Sequence, residues 1–313
     1  MNTETQRQLG AHWLAFQGVL NPGQGNLLTD AVRIAHQAGA TIFEIVGKPL
    51  NFMSAKEAAD AVLLGGISEV SYCRFFPGDG SFGDPIGECS PKAFAEVLKT
   101  FDEDFAYIQA LQGAGLRVRH ITGPSCFVLG RDYDEFCQEE IVTRAISFYD
   151  HILPQVGELN LQINIEYLRP EEDKALGGLE PVLLICRALG PRFRWHADTF
   201  HMYQRRLNAV LELRAAGTHE TGESMLGYLH AHGFAGREIP GRNKNAWVHD
   251  NSRGWEQIGL ALRGMNYEGP IVAEPFGQVV REQIPVLGEG LPPAVDPEKY
   301  YRTTLAYLKT WLH

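Results

Sequence analysis

The chain has 313 residues, 44% of them hydrophobic and 21% charged, a globular composition with length for two small domains or one α/β barrel. Its 28 Lys and Arg against 38 Asp and Glu leave a formal charge of −10, so no basic field is available for a polyphosphate backbone and nucleic acid is not an expected partner. The polar opening Met1-Asn2-Thr3-Glu4, the lack of any apolar run near ~18 residues, and five cysteines without a CxxC pair lead us to expect a cytoplasmic protein with no leader, membrane span or disulfide framework.

Short apolar or β-branched runs alternate with longer helical patterns along the chain. In order, they predict strand Leu9–Phe16, helix Leu27–Ala38, strands Thr41–Val46 and Glu69–Phe75, helix Pro91–Gly113, strand Arg117–Thr122, helix Tyr133–Val156 and strand Leu159–Glu166. The pattern continues with helix Leu179–Leu189, strand Phe193–Asp198, helix Met202–Ala216, strand Met225–His232, helix Trp255–Met265, strand Pro270–Glu274 and helix Pro297–Leu312. Eight strands separated by helices, with no linker or low-complexity tract, predict a single (β/α)8 TIM barrel over residues 1–313. A doubly wound sheet is the competing arrangement, but Gly23 and Gly25 are followed by Leu28 where a dinucleotide-binding turn needs a third glycine. Gly/Pro-rich stretches at 76–85 and 233–250 follow the third and seventh strands, where barrel enzymes place loops that cover a substrate.

Four of these runs end on a carboxylate or imidazole: Glu166, Asp198, His232 and Glu274. Strand side chains alternate between two faces, so Gln162, Asn164 and Glu166 share one face, as do Arg194, His196 and Asp198, then Tyr228, His230 and His232, and finally Val272 and Glu274. If those faces point inward, all four residues gather at the C-terminal mouth of the barrel. Carboxylates crowded there repel one another and lose hydration, and a bound cation is the simplest compensation. Imidazole with three carboxylates suits one divalent ion, Mn²⁺ first, with Co²⁺, Mg²⁺, Fe²⁺ or Zn²⁺ as the others, and the chain reads as a metal-dependent enzyme. Glu44 on the second strand and His120 on the fourth are candidates to touch substrate or support the ligands, with Trp13 and Phe16 as pocket walls. His12 and His196 read as core or helix-facing histidines.

Trp195-His196-Ala197-Asp198-Thr199-Phe200-His201-Met202, then His230-Ala231-His232, Arg237-Glu238-Ile239-Pro240-Gly241 and Ala273-Glu274-Pro275-Phe276, resemble the xylose-isomerase-like TIM barrel superfamily, most closely its D-tagatose and D-psicose 3-epimerase group. The resemblance implies that Glu166, Asp198, His232 and Glu274 bind the metal, that His201 and Arg237 hydrogen-bond the sugar, and that a further carboxylate, Glu172 or its neighbour Glu171, belongs to the site. It also implies a dimer or tetramer. The segment 167–173 and the interval between His232 and Arg237 depart from the epimerase pattern, which bears on the substrate rather than on the ligands.

With this set, the expected activity is that of an isomerase: proton abstraction from a ketose or related keto-sugar through an enediolate. Glu166 and Glu274 exchange protons on opposite faces of the carbon to invert C3. Aldose–ketose isomerases, and dehydratases or lyases of keto-sugars or inososes, begin in the same way and are the alternatives. A DNA-repair enzyme on this barrel is disfavoured by the −10 charge, and a non-catalytic sugar-binding barrel is the remaining contrast.

Overall fold

Eight parallel strands, each paired with its sequence neighbour and the last with the first, close into a barrel in this computed structural model, which describes residues 8–16, 27–47, 53–76, 82–88, 90–232, 252–275 and 296–312. They are β1 (Leu9–His12), β2 (Ile42–Val46), β3 (Glu69–Cys73), β4 (Arg117–Thr122), β5 (Gln162–Glu166), β6 (Phe193–Asp198), β7 (Leu226–Ala231) and β8 (Ile271–Ala273). Closure is visible at β1, where Gly10 aligns with Ile42 on one side and with Val272 on the other. The described helices are α1 (Leu27–Gln37), α2 (Ala55–Gly65), α3 (Pro91–Gly113), α4 (Gln138–Glu158), α5 (Leu179–Leu189), α6 (Thr199–Gln204), α7 (Ala209–Ala216), α8 (Ser252–Gly264) and α9 (Pro297–Leu312).

Several boundaries move from their sequence expectation for local reasons. The first strand stops at His12 because Trp13–Phe16 winds into a 3-10 turn. The fifth begins at Gln162 rather than Leu159, since Leu159 caps α4 and Asn160 takes a left-handed φ of 52°. The single helix expected over 202–216 is two. Asp198 starts the first at Thr199 by capping it, Arg206 turns the chain at φ 58°, and the Asn208 side chain caps the second. Between β2 and β3, α2 carries its own signals: a Ser54/Glu57 capping box and a left-handed Gly66 at its C-terminus.

The strands' outward residues, among them Phe43, Ile45, Val70, Ile163, Ile165, Trp195 and Leu229, form one buried apolar layer with the helices. Inside the barrel, Ile42, Tyr228 and Val272 make a separate apolar floor. Gly10 is demanded by that floor, since a Cβ there would lie 2.5 Å from a methyl of Val272 and 2.7 Å from one of Ile42. Pairing of β6 with β7 jumps from Trp195–Leu226 to His196–Tyr228, so the register slips at Gly227. Leu226 therefore joins the same outer layer as Leu229 and Ala231 despite being out of phase with them. From Tyr228 onward the inward face is the one that carries His230 and His232.

Candidate metal centre

Above the apolar floor, the barrel interior becomes polar. Glu166 ends β5 and Asp198 ends β6, while His232 and Glu274 follow β7 and β8 directly; all are buried. Asp198 has two duties, because Oδ1 accepts the backbone N–H of Phe200 at 2.6 Å and caps α6, while Oδ2 stands 3.2 Å from His232 Nε2. His232 Nε2 lies 3.4 Å from Glu274 Oε2, and His230 Nδ1 is also 3.4 Å from that oxygen. Backbone locks hold these strand ends together: His232 N–H donates to Thr199 Oγ1 at 2.9 Å, and the Trp255 indole N–H donates to His232 O at 3.1 Å.

One donor atom each from Asp198, His230, His232 and Glu274 lies within 4.8 Å of the other three. Ligands on a sphere of ~2.0–2.2 Å radius around one ion are at most about 4.4 Å apart, so this spacing fits a divalent cation after small adjustments. Glu166 belongs to an adjoining group with Asp198 and His201. Asp198 is common to both groups, which places the four sequence-chosen carboxylate and imidazole groups around one mouth, with His230 as an unanticipated fifth.

His201 Nδ1 accepts the Arg169 backbone N–H at 3.0 Å, so in the neutral ring Nε2 carries the proton. That nitrogen points at the carboxylates, 3.7 Å from Glu166 Oε1 and 3.5 Å from Asp198 Oδ2, as a hydrogen-bond donor. Glu172 Oε1 pairs with Arg169 at 3.0 Å and its Oε2 lies 4.0 Å from His201 Nδ1, whereas Glu171 points outward with 61% of its side chain exposed. Of the two alternatives, Glu172 is the one beside the site. The loop that carries it is organised by Asp173, whose carboxylate accepts the N–H groups of Leu168, Ala175, Leu176 and Gly177 and pairs with Arg205.

Beneath the mouth, Glu44 is fully buried and accepts hydrogen bonds from the Thr122 hydroxyl and, at 2.7 Å, from His230 Nε2. Although burial alone would raise the Glu44 carboxyl, His230 and His12 hold it below its usual range. Burial opposes charge on His230 too, yet Glu44 and Glu274 outweigh it and keep the imidazole protonated well above its ordinary range. His196 goes the other way: burial and the neighbouring His230 hold it neutral, and its Nδ1 accepts the Gly123 N–H at 3.3 Å.

Not every expected group reaches the mouth. His120 lies one inward position below Thr122 on β4 and lines an open cavity with Arg119, Arg192, Arg194 and Glu223 at the N-terminal end of the barrel. Two residues of strand, roughly 6.6 Å, lie between it and the layer of Thr122 and Glu44. Glu44 likewise stands under the cluster, fully buried and engaged by His230. Nor do His12 and His196 face the helices; both are buried inside the barrel, with His12 Nε2 3.5 Å from Glu274 and His196 Nδ1 3.7 Å from Glu166. The alternation that placed Asp198 inward also places His196 there, and the same count along β2 puts Glu44 inside. Trp13 sits half-buried just past β1 against the apolar core. Arg237, Phe276 and the whole 233–250 stretch lie outside the described residues, as do residues 77–81 of the other Gly/Pro-rich stretch.

A closed parallel barrel with a buried carboxylate–imidazole cluster at the C-terminal strand ends is the architecture of a TIM-barrel protein with a candidate metal centre where such barrels keep their chemistry. Residues 32–311 match the xylose isomerase-like TIM barrel family, and the chain belongs to it. A D-psicose 3-epimerase from Agrobacterium fabrum is 28% identical over 134 residues, a segment covering 42% of this chain and 41% of that protein, so the match spans less than half the relative's length. Among solved structures, an L-ribulose 3-epimerase superposes with a TM-score of 0.75 at 16% identity, covering 98% of this chain and 94% of the other. A D-psicose 3-epimerase determined in the presence of D-fructose superposes with a TM-score of 0.74 at 18% identity, covering 97% and 99%. At these identities the superpositions establish the shared fold. Among the described residues, no helix is long and apolar enough to cross a membrane.

Proposed function

We propose that this chain is a divalent-metal-dependent isomerase of keto-sugars whose reaction is epimerisation at C3. The observation that carries the reading is the convergence of Asp198, His232 and Glu274 at one point of the barrel mouth, with Glu166 joined to the same Asp198 from the other side. Asp198, His232, Glu274 and Glu166 would hold the ion, Mn²⁺ in the first instance, and when bound it supplies Lewis-acid polarisation of a carbonyl next to the reacting carbon.

The protein's own groups do the rest. Glu166 and Glu274 come from β5 and β8, separated by β6 and β7 around the barrel, so a carbon held between them presents one face to each carboxylate. One removes the proton α to the carbonyl, and the other delivers a proton to the opposite face of the resulting enediolate, which inverts the centre. His201, with Nε2–H directed into the mouth, donates to a substrate oxygen, and Glu172 beside it accepts from a hydroxyl. Arg237, which lies outside the described residues, would supply a planar fork to the sugar. Burial of the carboxylates excludes water and strengthens each of these interactions.

The 28% identity to a D-psicose 3-epimerase over 134 residues supports a ketose as substrate class. The test is NMR product analysis in D₂O with Mn²⁺ across ketopentoses, ketohexoses and 3-keto glycosides. Deuterium at an inverted C3 is the expected outcome. Deuterium at C1 or C2 would assign an aldose–ketose isomerase, loss of water would assign a dehydratase, and no exchange on any ketose would remove the proposal. The compartment, which we propose to be the cytoplasm, and the homo-oligomeric state are open to fractionation and sedimentation.

A further inference from the structure

Glu44 is a fully buried carboxylate that the proposed reaction does not use, and it faces the underside of the cluster. Two imidazoles connect it to Glu274. His230 donates from Nε2 to Glu44 Oε2 at 2.7 Å, while its Nδ1 lies 3.4 Å from Glu274 Oε2. His12 Nε2 lies 3.8 Å from the same Glu44 oxygen and 3.5 Å from Glu274 Oε1. Each oxygen of Glu274 thus has its own histidine, and both histidines are referred to one buried anion. Thr122, bonded to the other Glu44 oxygen, fixes the plane of that anion. The His230 ring is further held by edge-on packing against His196, with centroids 4.1 Å apart, and against His12, at 5.6 Å.

On this geometry we infer that Glu44 is a positioning residue for the metal centre, acting through His230 and His12 to aim the Glu274 carboxylate. An acceptor on the far nitrogen of His230 fixes the orientation of a ring whose other nitrogen faces the ligating Glu274 carboxylate, and disturbing the groups that orient a metal ligand typically costs roughly 10–100-fold in metal affinity. Without the Glu44 anion, His230 Nε2–H loses the charged acceptor it has among the described residues, its ring is held less firmly, and the aim of Glu274 loosens.

The inference rests on the proposed metal site, and its test separates the two. Full-length wild type and Glu44→Gln, stripped with EDTA, are titrated with Mn²⁺ by calorimetry, and the Mn²⁺ EPR spectrum is recorded at saturation. The expected result is a Kd raised roughly 10–100-fold for Glu44→Gln with an altered EPR splitting, while the circular dichroism of the metal-free proteins coincides. A residue that merely fills the barrel leaves the Kd and spectrum of the folded protein unmoved, and that result overturns the inference while the metal site stands. A wild type that binds no Mn²⁺ overturns both. Should Glu44→Gln fail to fold, Thr122→Val removes one hydroxyl from Glu44 with little change of shape; it weakens Mn²⁺ binding in the same direction, and wild-type affinity in that variant counts against the inference.

Discussion

Replacing Glu274 by Gln removes a proton acceptor from the mouth while preserving shape. Glu274 is 5% exposed, and its two oxygens lie 3.4 Å from His230 Nδ1, 3.4 Å from His232 Nε2 and 3.5 Å from His12 Nε2. An amide occupies the same volume and keeps one carbonyl oxygen for these neighbours, but cannot take up or return a proton at neutral pH. Loss of one such group costs about 10²–10⁴-fold in turnover, which at 1.36 kcal/mol per decade is about 2.7–5.5 kcal/mol of barrier. The assay is the initial rate on the best ketose at saturating Mn²⁺, with protein-bound metal quantified in the same sample so that lost chemistry is separated from lost ion. Glu166→Gln should fall in the same range, and the double variant should be far from additive because the two groups serve one reaction. Activity of Glu274→Gln within tenfold of wild type, with the ion bound, would refute the acid–base assignment.

Other expectations concern the scaffold. Gly10→Ala drives a methyl into Val272 and Ile42 in the barrel floor and should lower unfolding free energy by about 1–3 kcal/mol, read from the urea midpoint. Asp173→Ala strips four backbone N–H groups and Arg205 of a buried acceptor; a loss of about 3–5 kcal/mol is expected, and a variant as stable as wild type would show that the loop holds without it. His120 is pushed down from 6.5 to about 4 by burial and by Arg119 and Arg194. The folded state therefore binds fewer protons than the unfolded chain between those values: the stability that neutral His120 contributes is complete above pH 6.5 and is lost as pH falls towards 4. His120→Gln should flatten that part of the stability–pH curve, and an unchanged slope would place the sensitivity elsewhere.

How much of this was legible beforehand depended on whether the signal was local. Strands β4 and β6 and helices α3, α5 and α9 have their predicted limits because apolar runs and caps coincide there, as with Ser90 and Pro91 at the start of α3. The inward assignment of Glu166, Asp198, His232 and Glu274 followed from strict alternation near strand ends, and it survives the Gly227 bulge because the slip lies upstream of Tyr228. Depth within the barrel was not legible. His120 and Thr122 have the same parity, and only closure and stagger of the strands show that His120 belongs to the bottom and Thr122 to the layer of Glu44. The Glu44–His230 pair joins residues 186 positions apart, which no local pattern encodes. The helix break at Arg206 was hidden because the apolar spacing continues through it, while Asn208, a good cap, was the available warning.

The central claim is that one divalent cation is held at the mouth of this barrel, and metal content tests it most directly. The full chain, stripped with chelator, incubated with Mn²⁺ and freed of excess by gel filtration, is analysed by plasma mass spectrometry beside Asp198→Ala, which removes the residue shared by both ligand groups. One ion per wild-type chain, lost in the variant, is the predicted result; a wild-type chain that emerges without metal, or a variant that retains it in full, contradicts the account.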